Sequence, residues 1–243
     1  MAANNTLVEL NHNVIGILTG YGAAPTGFAK RTELMERVLD LRNCISYRIE
    51  AIIFHQEVID TYWPKIQEWL ISHLVNNKGK EPEKTFLNAQ DTLLFIFDDI
   101  IFNIISLVDY FGNLISVIYS GEQYRNKKWK GLLNLINNKE DKLPIDDLII
   151  QHNKDWVNDL TEYRAKIFHY DRDKTKTIIY GIYGGVSTYV ATPKKFIKSM
   201  KNFPTDLSMN DQPPHLIKSC DWLISKTSDT FNNILELIKE DKL

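Results

Sequence analysis

Apolar residues recur at helical spacing in the first third of the chain. From Thr32, a residue type that caps helix N-termini well, a helix is predicted to continue to about Tyr62. Pro64 suits the first turn of a second helix, which is predicted through Leu74. The polar residues 76–82 then predict a loop. The apolar positions that define the first helix are Leu34, Val38, Leu41, Ile45, Ile49 and Ile52.

The longest apolar stretch predicts the central helix of a bundle. Residues 84–119 are apolar on nearly all sides, which is typical of a helix surrounded by other helices. Gly121 is expected to end this helix, and a short basic helix is predicted from Arg125 to Ile136. Several polar side chains in the stretch would be costly in a bilayer and argue against a membrane span: Asp98, Asp99, Asn103, Asp109 and Asn113.

Three further helices are predicted in the second half of the chain. Pro144 opens the first of them, which is expected to continue through residue 169. A short lysine-bearing helix covers residues 193–202, and a last amphipathic helix follows residues 213–214, which are both proline. The inward positions of the helix that begins at Pro144 are predicted to be Leu148, His152, Trp156, Leu160, Tyr163 and Ile167.

The period changes once, and this change completes the prediction of a mainly α fold. Residues 177–183 and 186–190 are rich in β-branched and aromatic residues and flank two glycines, so a β-hairpin is predicted over about 177–190. Residues 1–28 show no sustained period and are expected to form a flexible or surface-draped N-terminal arm. Residues 29–243 are therefore predicted to form a single domain, an antiparallel helical bundle with a small inserted hairpin.

Composition supports a globular protein and gives little sign of its partners. Hydrophobic residues make up 44% and charged residues 25% of the 243 residues, which argues against disorder. The formal net charge of −2 does not indicate nucleic-acid binding by the whole chain, although local patches can bind phosphates. Cys44 and Cys220 lie on apolar helical faces, which favours buried thiols over a disulfide. The N-terminus does not resemble a signal peptide, so a cytoplasmic location is expected.

Arg164 and His169, with four residues between them, are the candidate catalytic residues. Histidine can transfer a proton near neutral pH, and arginine is a permanent cation that binds phosphate. These are the two groups that metal-independent cleavage of a phosphodiester requires. The alternative is that both cations stabilise the negative C-terminal end of a helix dipole, with Arg164 paired to Asp171.

This pair, late in a helical bundle, resembles the motif of the HEPN superfamily. That family consists of helical bundles that commonly dimerise, and many members are RNA-binding proteins or metal-independent endoribonucleases. The resemblance covers about residues 84–240 in architecture and rests on Arg164 and His169 at the residue level. Ala165 stands where active members commonly carry a polar residue, and Asp171 stands where one toxin group carries tyrosine.

The resemblance implies a homodimer that binds single-stranded RNA and needs no cofactor. His169 would act as general base or acid and Arg164 would stabilise the phosphate charge, giving 2′,3′-cyclic phosphate ends. The family also implies a toxin–antitoxin, stress or phage-defence setting with an antitoxin or other protein partner. The other hypothesis is a catalytically inactive bundle that serves as a protein-interaction or small-ligand module.

An ideal helix does not bring the two candidate residues to one phosphate. Residues five apart differ by about 140° in direction and about 7.5 Å in rise. Convergence therefore requires fraying after Phe168, Arg164 reaching across the helix, or a second subunit that completes the site.

Basic residues cluster around the motif. The segment from Arg164 to Lys176 holds five Lys or Arg against two Asp, and residues 193–202 add four lysines without an acid. Such clusters can bind an RNA backbone, although an ordinary solvated surface is the alternative. The candidate RNA-binding residues are Lys166, Tyr170, Arg172, Lys194 and Lys195.

No metal site is expected. Paired Glu-x-x-His motifs, which a di-metal site in a bundle would need, do not occur, and the remaining histidines are scattered along the chain. The scattered histidines are His12, His73, His152 and His215.

Overall fold

The computed structural model describes residues 2–23, 30–76, 84–120, 127–169, 175, 177–182, 185–204 and 212–240. These residues are mainly α-helical, which confirms the predicted fold class of a helical bundle with a small β insertion. The helices are α1 (Ala2–Ala23), α2 (Lys30–Asn76), α3 (Lys84–Ser120), α4 (Trp129–Asn137), α5 (Pro144–His152), α6 (Asn158–His169), α7 (Lys194–Ser199) and α8 (Leu216–Lys239). No helix within these ranges is long and apolar enough to cross a membrane.

The predicted hairpin is present. Strand β1 (Thr177–Ile182) pairs antiparallel with β2 (Gly185–Val190), and Thr177 lies opposite Val190. Apart from Tyr183, which lies outside the described residues, the β-branched and aromatic residues that predicted the strands fall within these bounds, as expected for a pleated ribbon.

Residues 2–23 form a helix, so the predicted N-terminal arm is wrong over this range. Leu7, Leu10, Val14 and Leu18 recur at helical spacing, and none of the four side chains is exposed. The Oγ hydroxyl of Ser228 also donates a hydrogen bond to a carbonyl of α1, at 3.1 Å. The stripe of three leucines and one valine was missed because Asn and Gly residues are interspersed with it, and its burial is what identifies it as the inner face of a helix.

Helix α2 continues through Pro64, so the prediction of two separate helices is wrong. Proline lacks the N–H that would donate to the carbonyl of Asp60 four residues earlier. Trp63 and Ile66 are nevertheless buried on either side of the proline, so the apolar face continues without a break. Tertiary packing therefore outweighs the one lost hydrogen bond.

The helix predicted from Pro144 to residue 169 is interrupted by a π-helical turn, Asn153–Val157. The extra residue in this turn accompanies a buried contact in which Trp156 Nε1 donates to Thr230 Oγ1 at 3.1 Å. The same hydroxyl lies 3.0 Å from His152 Nδ1. The turn thus places two side chains of one segment on a single hydroxyl of α8.

Helix α4 begins at Trp129, later than predicted, and Arg125 and Gly121 lie outside the described residues. The ring of Trp129 is buried and its Nε1 donates to Asn153 Oδ1 at 3.1 Å. Lys127, Lys128 and Lys130 around it are exposed. The basic-aromatic cluster is therefore an ordinary amphipathic helix start, with the tryptophan inward and the lysines outward.

The chain divides into two compact units. The single domain predicted from residue 29 stays a prediction. Unit 1 contains Met1–Ile53, Asn103–Asn158 and Ile224–Leu243, and its core includes the stacked rings of Phe111 and Phe231. Unit 2 contains Phe54–Phe102 and Asp159–Leu223. The hairpin, helix α7 and the described candidate RNA-binding residues, Lys166, Lys194 and Lys195, belong to unit 2.

Replacing Gly112 with alanine is expected to destabilise unit 1 by about 1–3 kcal/mol, as overpacking does. A Cβ at this position would lie 2.5 Å from the backbone nitrogen and 2.7 Å from the Cα of Trp129, and backbone atoms cannot move aside cheaply. Urea unfolding measures the change.

The matched control is Gly16→Ala on α1, where a Cβ would meet nothing within 4 Å. This variant should be more stable by about 0.5–1 kcal/mol, because alanine lowers the entropy cost of forming a helix. Equal effects at both glycines would contradict the close approach of α3 to Trp129.

Candidate nucleic-acid interface

A buried carboxylate at the start of α6 fixes this helix to the end of α7. Asp159 is 2% exposed and accepts hydrogen bonds from the backbone N–H of Lys201 and from its Nζ, both at 3.0 Å. The hydrogen bond and the charge of Asp159 raise the pKa of Lys201. The contact satisfies an acid that would otherwise be costly to bury.

Aromatic rings join α6 to α7 a second time. The ring centroids of Tyr163 and Phe196 lie 5.1 Å apart in an edge-to-face arrangement. Phe196 has no exposed surface and also contacts Phe97 and Phe203 at 5.1 and 5.8 Å. Arg164 follows Tyr163 directly, and Lys195 precedes Phe196 directly. One aromatic cluster therefore sets the positions of both basic segments.

The candidate cations that the structure describes differ in environment. Arg164 is half-buried, and its guanidinium carbon lies 5.1 Å from the centroid of the Phe102 ring, which is a cation–π contact. Lys166 is exposed and lies 3.9 Å from Glu162, a weak surface pair. Lys194 and Lys195 are exposed in the first turn of α7.

The second candidate catalytic residue is described only in its backbone. Helix α6 continues to His169, whose side chain lies outside the described residues, as do Tyr170 and Arg172. Because the helix includes both Arg164 and His169, their Cα–Cβ directions differ by about 140°. The structure therefore does not show fraying before His169, and a reach by Arg164 or a second subunit remains as the route to a shared phosphate.

Charge is strongly segregated along the chain. Residues 164–201 carry nine Lys or Arg and two Asp, a formal charge of +7, whereas the whole chain carries −2. The remaining residues therefore carry −9. Residues 177–192, which include the hairpin, carry no charge. The charged residues lie before and after them in sequence, at positions 164–176 and 194–201. Such a local excess attracts polyanions even when the net charge is near zero.

Two histidines that the sequence did not mark as candidate site residues, His152 and His215, have perturbed pKa values. Burial lowers the pKa of His152 in unit 1, and the nearby Asp155 partly opposes this effect. In unit 2, burial and the charge of Lys218 lower the pKa of His215 to about 4. Burial is the main cause of both shifts, and the sequence predicted an inward position only for His152.

A carboxylate pair in unit 2 was also missed. Gln56 Nε2 donates to Asp60 Oδ1 at 3.2 Å and to Asp221 Oδ1 at 3.3 Å. Burial, followed by the charge of Asp60, raises the pKa of Asp221. Within the described ranges, no group of three or more His, Cys, Asp and Glu is arranged to hold a metal ion.

Comparisons of the chain with protein-family models, with curated proteins and with solved structures each found no match.

Proposed function

We propose that the chain binds single-stranded RNA through the basic segment 164–201. The observation that carries the proposal is the segregation of charge into this segment, which bears +7 in a chain of net charge −2. When lysine and arginine side chains neutralise the phosphates of a nucleic acid, the counterions bound to those phosphates are released. A cluster of excess cations therefore favours binding of a polyanion.

Packing supports a fixed rather than a loose arrangement of these cations. Asp159 holds Lys201, and Tyr163 contacts Phe196, so α6 and α7 are joined at two points. Lys194 and Lys195 are exposed one turn or less from the buried Phe196. Preorganised cations lose little entropy on binding, which favours affinity.

The finer proposal, which rests on the likeness to HEPN proteins, is metal-independent cleavage by Arg164 and His169. The 2′-hydroxyl attacks the adjacent phosphorus while a proton passes to one imidazole, and the 5′-oxygen leaves with a proton from an imidazole. The products are a 2′,3′-cyclic phosphate and a free 5′-hydroxyl. Because one helix carries both residues on different sides, the complete site would combine the residues of two protomers.

The binding proposal predicts that Lys194→Gln with Lys195→Gln weakens RNA binding about tenfold and lowers the salt slope of the binding constant by about 1.4, which is 0.7 for each phosphate contact to a single strand. The measurement is a fluorescence-anisotropy titration of a labelled oligonucleotide at several salt concentrations. Lys65→Gln, an exposed lysine of α2 in the same unit, is the matched control and should behave as wild type. Equal loss in the control and the double variant, or no salt-dependent binding by wild type, would overturn the proposal.

Cleavage is tested separately, in EDTA, with the purified wild-type chain. His169→Ala should reduce the rate by about 10²–10⁴-fold, as removal of a general acid–base does, while leaving RNA binding measurable. Arg164→Ala should reduce both the rate and the affinity, and Arg42→Ala in unit 1 should reduce neither. Binding without cleavage by wild type would leave an RNA-binding module, and cleavage that survives His169→Ala would exclude the proposed pair.

A further inference from the structure

Helix α2 carries a row of exposed aromatic residues in addition to its buried face. A single exposed apolar side chain needs no explanation, but a continuous row of them indicates a contact surface. Each of the four residues in this row keeps at least 41% of its surface exposed. They are Tyr47 at 64%, Phe54 at 60%, Tyr62 at 42% and Trp69 at 41%.

The four aromatic residues lie on one face of the helix. They are separated by seven, eight and seven positions, close to two turns each, so their directions on an ideal helix fall within about 80°. Ala51, Val58 and Lys65 lie between them on the same face, the first two half-buried and the third exposed. These seven residues form one stripe about 33 Å long, the outer stripe.

The outer stripe has the same spacing when it is followed in either direction. Val58 is its middle, and the aromatic residues lie four and eleven positions before and after it. Two antiparallel copies of α2 with a two-fold axis at Val58 would therefore place Phe54 opposite Tyr62 and Tyr47 opposite Trp69, each pair twice. An interface between identical surfaces requires this self-complementarity, and a chance partner would not.

The remaining positions of the outer stripe also match in this register. Ala51 and Lys65 each lie seven positions from Val58, so the small side chain of one copy faces the long side chain of the other. The Lys65 ammonium group would then lie beside Glu50 of the second copy, which is exposed. Such a surface pair adds little affinity, but it joins opposite charges and favours this register.

Charge along the stripe favours a second copy over RNA. Glu50, Glu57 and Glu68 are exposed and fall within about 20° of one another, along one side of the outer stripe. This acidic row repels a polyanion, so the aromatic rings are poorly placed to stack with the bases of RNA. The same acids would flank the contact in both copies, which limits its affinity.

The exposed area agrees with a weak dimer. An aromatic side chain can bury 150–250 Å² and the four rings are about half exposed, so they offer about 400 Å² in each copy, about half of what one partner contributes to a standard interface. Contacts of this size are typical of reversible complexes. The chain is therefore expected to be monomeric in dilute solution and to associate as its concentration rises.

We propose that two copies of the chain associate through the outer stripes of their α2 helices, antiparallel, with Val58 on the two-fold axis. The proposal rests on α2 alone and holds whether or not the chain binds RNA. It gives a function to an aromatic row that the core of the protein does not use.

The test is sedimentation velocity of the nuclease-treated full chain at concentrations from micromolar to nearly millimolar. Wild type should shift from one chain toward two as its concentration rises. Tyr62→Glu should weaken association at least tenfold, because it places two negative charges in the contact. Ile15→Glu on α1, at a residue that is also 42% exposed, is the matched control and should associate as wild type does. A wild type that stays monomeric throughout, or an equal loss in both variants, would overturn the proposal.

Cysteine cross-linking tests the register without a disruptive variant. In a Cys44→Ser background, which leaves only the buried Cys220, Val58→Cys should form a disulfide between two copies, because the two-fold axis brings both Cβ atoms together. Lys65→Cys is the matched control, because its two copies would lie about 21 Å apart along the helices. Equal cross-linking of the two variants would exclude this register and the proposal with it.

RNA binding by dilute protein separates this interface from a base-stacking surface. Tyr62→Glu should keep the affinity of the wild-type monomer for RNA, since the outer stripe is reserved for a second copy. A tenfold loss of RNA affinity in Tyr62→Glu but not in Ile15→Glu would show that the stripe contacts RNA instead, and would contradict the proposal.

Discussion

Replacing Phe196 with alanine is expected to lower the free energy of unfolding by about 3–5 kcal/mol, the usual cost of removing a fully buried aromatic ring. Phe196 has no exposed surface and lies at the centre of a cluster of four rings, its own included. Its neighbours come from three other parts of unit 2: Phe97 of α3, Tyr163 of α6 and Phe203 after α7. The cavity would therefore open at the point where these elements meet, and none of them alone can close it.

The measurement is urea unfolding followed by circular dichroism, with the slope of the transition compared between variants. Phe54→Ala is the matched control, since that ring is 60% exposed on α2 of the same unit. Its effect should stay within about 0.5 kcal/mol, as for most surface substitutions. A loss below 1 kcal/mol in Phe196→Ala would show that the four-ring cluster does not hold unit 2 together.

This prediction also separates stability from RNA binding. Phe196 adjoins Lys195 but has no exposed atom of its own, so it cannot contact RNA directly. If the folded fraction of Phe196→Leu, which retains much of the volume, keeps the affinity of wild type, the lysines of α7 act through charge alone. Reduced affinity at full folding would show that the exact placement of α7 matters.

The sequence predicted the helical bundle and the hairpin because burial imposes a strong periodicity. The apolar positions of α3 and α8 recur at helical spacing over many turns. The strands are rich in β-branched and aromatic residues and flank a pair of glycines. The failures have local causes. Proline and asparagine weaken the intrinsic tendency to form a helix, yet burial of Trp63 in α2 and of Leu10 in α1 outweighs that tendency.

The contacts that position the candidate residues could not be predicted in this way. Asp159 and Lys201 are 42 residues apart, and Gln56 and Asp221 are 165 residues apart. Hydrophobic periodicity shows which side of a helix is buried, but it does not show which neighbour covers that side. The exposure of Lys194 and Lys195 could be expected from their charge. The proximity of Asp60 and Asp221 could be found only from the tertiary structure.

Acid is expected to destabilise unit 2 through His215, which lies directly before α8. The neutral ring accepts a hydrogen bond at Nδ1 from the backbone N–H of Ile217, at 3.0 Å. It lies edge-on to Trp63 and stacks with Tyr189, with centroids 5.1 and 5.5 Å away. Protonation at Nδ1 would remove the acceptor and place a positive charge at the positive end of a helix dipole.

Burial, together with the charge of Lys218, lowers the pKa of His215 from 6.5 to about 4 in the folded chain. Above pH 6.5 the ring is neutral in both the folded and the unfolded states, and its contribution to stability is fully present. Between pH 6.5 and pH 4 only the unfolded state binds the proton, so stability falls as the pH falls. At about 1.4 kcal/mol for each unit of pKa difference, the loss approaches about 3 kcal/mol near pH 4.

The decisive measurement compares wild type with His215→Asn in urea unfolding from pH 7.5 to pH 4. Asparagine does not titrate, and its side-chain oxygen can still accept a hydrogen bond from the first turn of a helix. Carboxylates and His152 change stability in both proteins alike, so the difference between the two curves isolates His215. The variant should be the less stable protein at pH 7.5, where the ring packs against Trp63, and should lose this disadvantage progressively as the pH approaches 4. Parallel curves across the whole range would show that His215 has the same pKa in the folded and unfolded chains, and the capping hydrogen bond to Ile217 would then not govern the acid response.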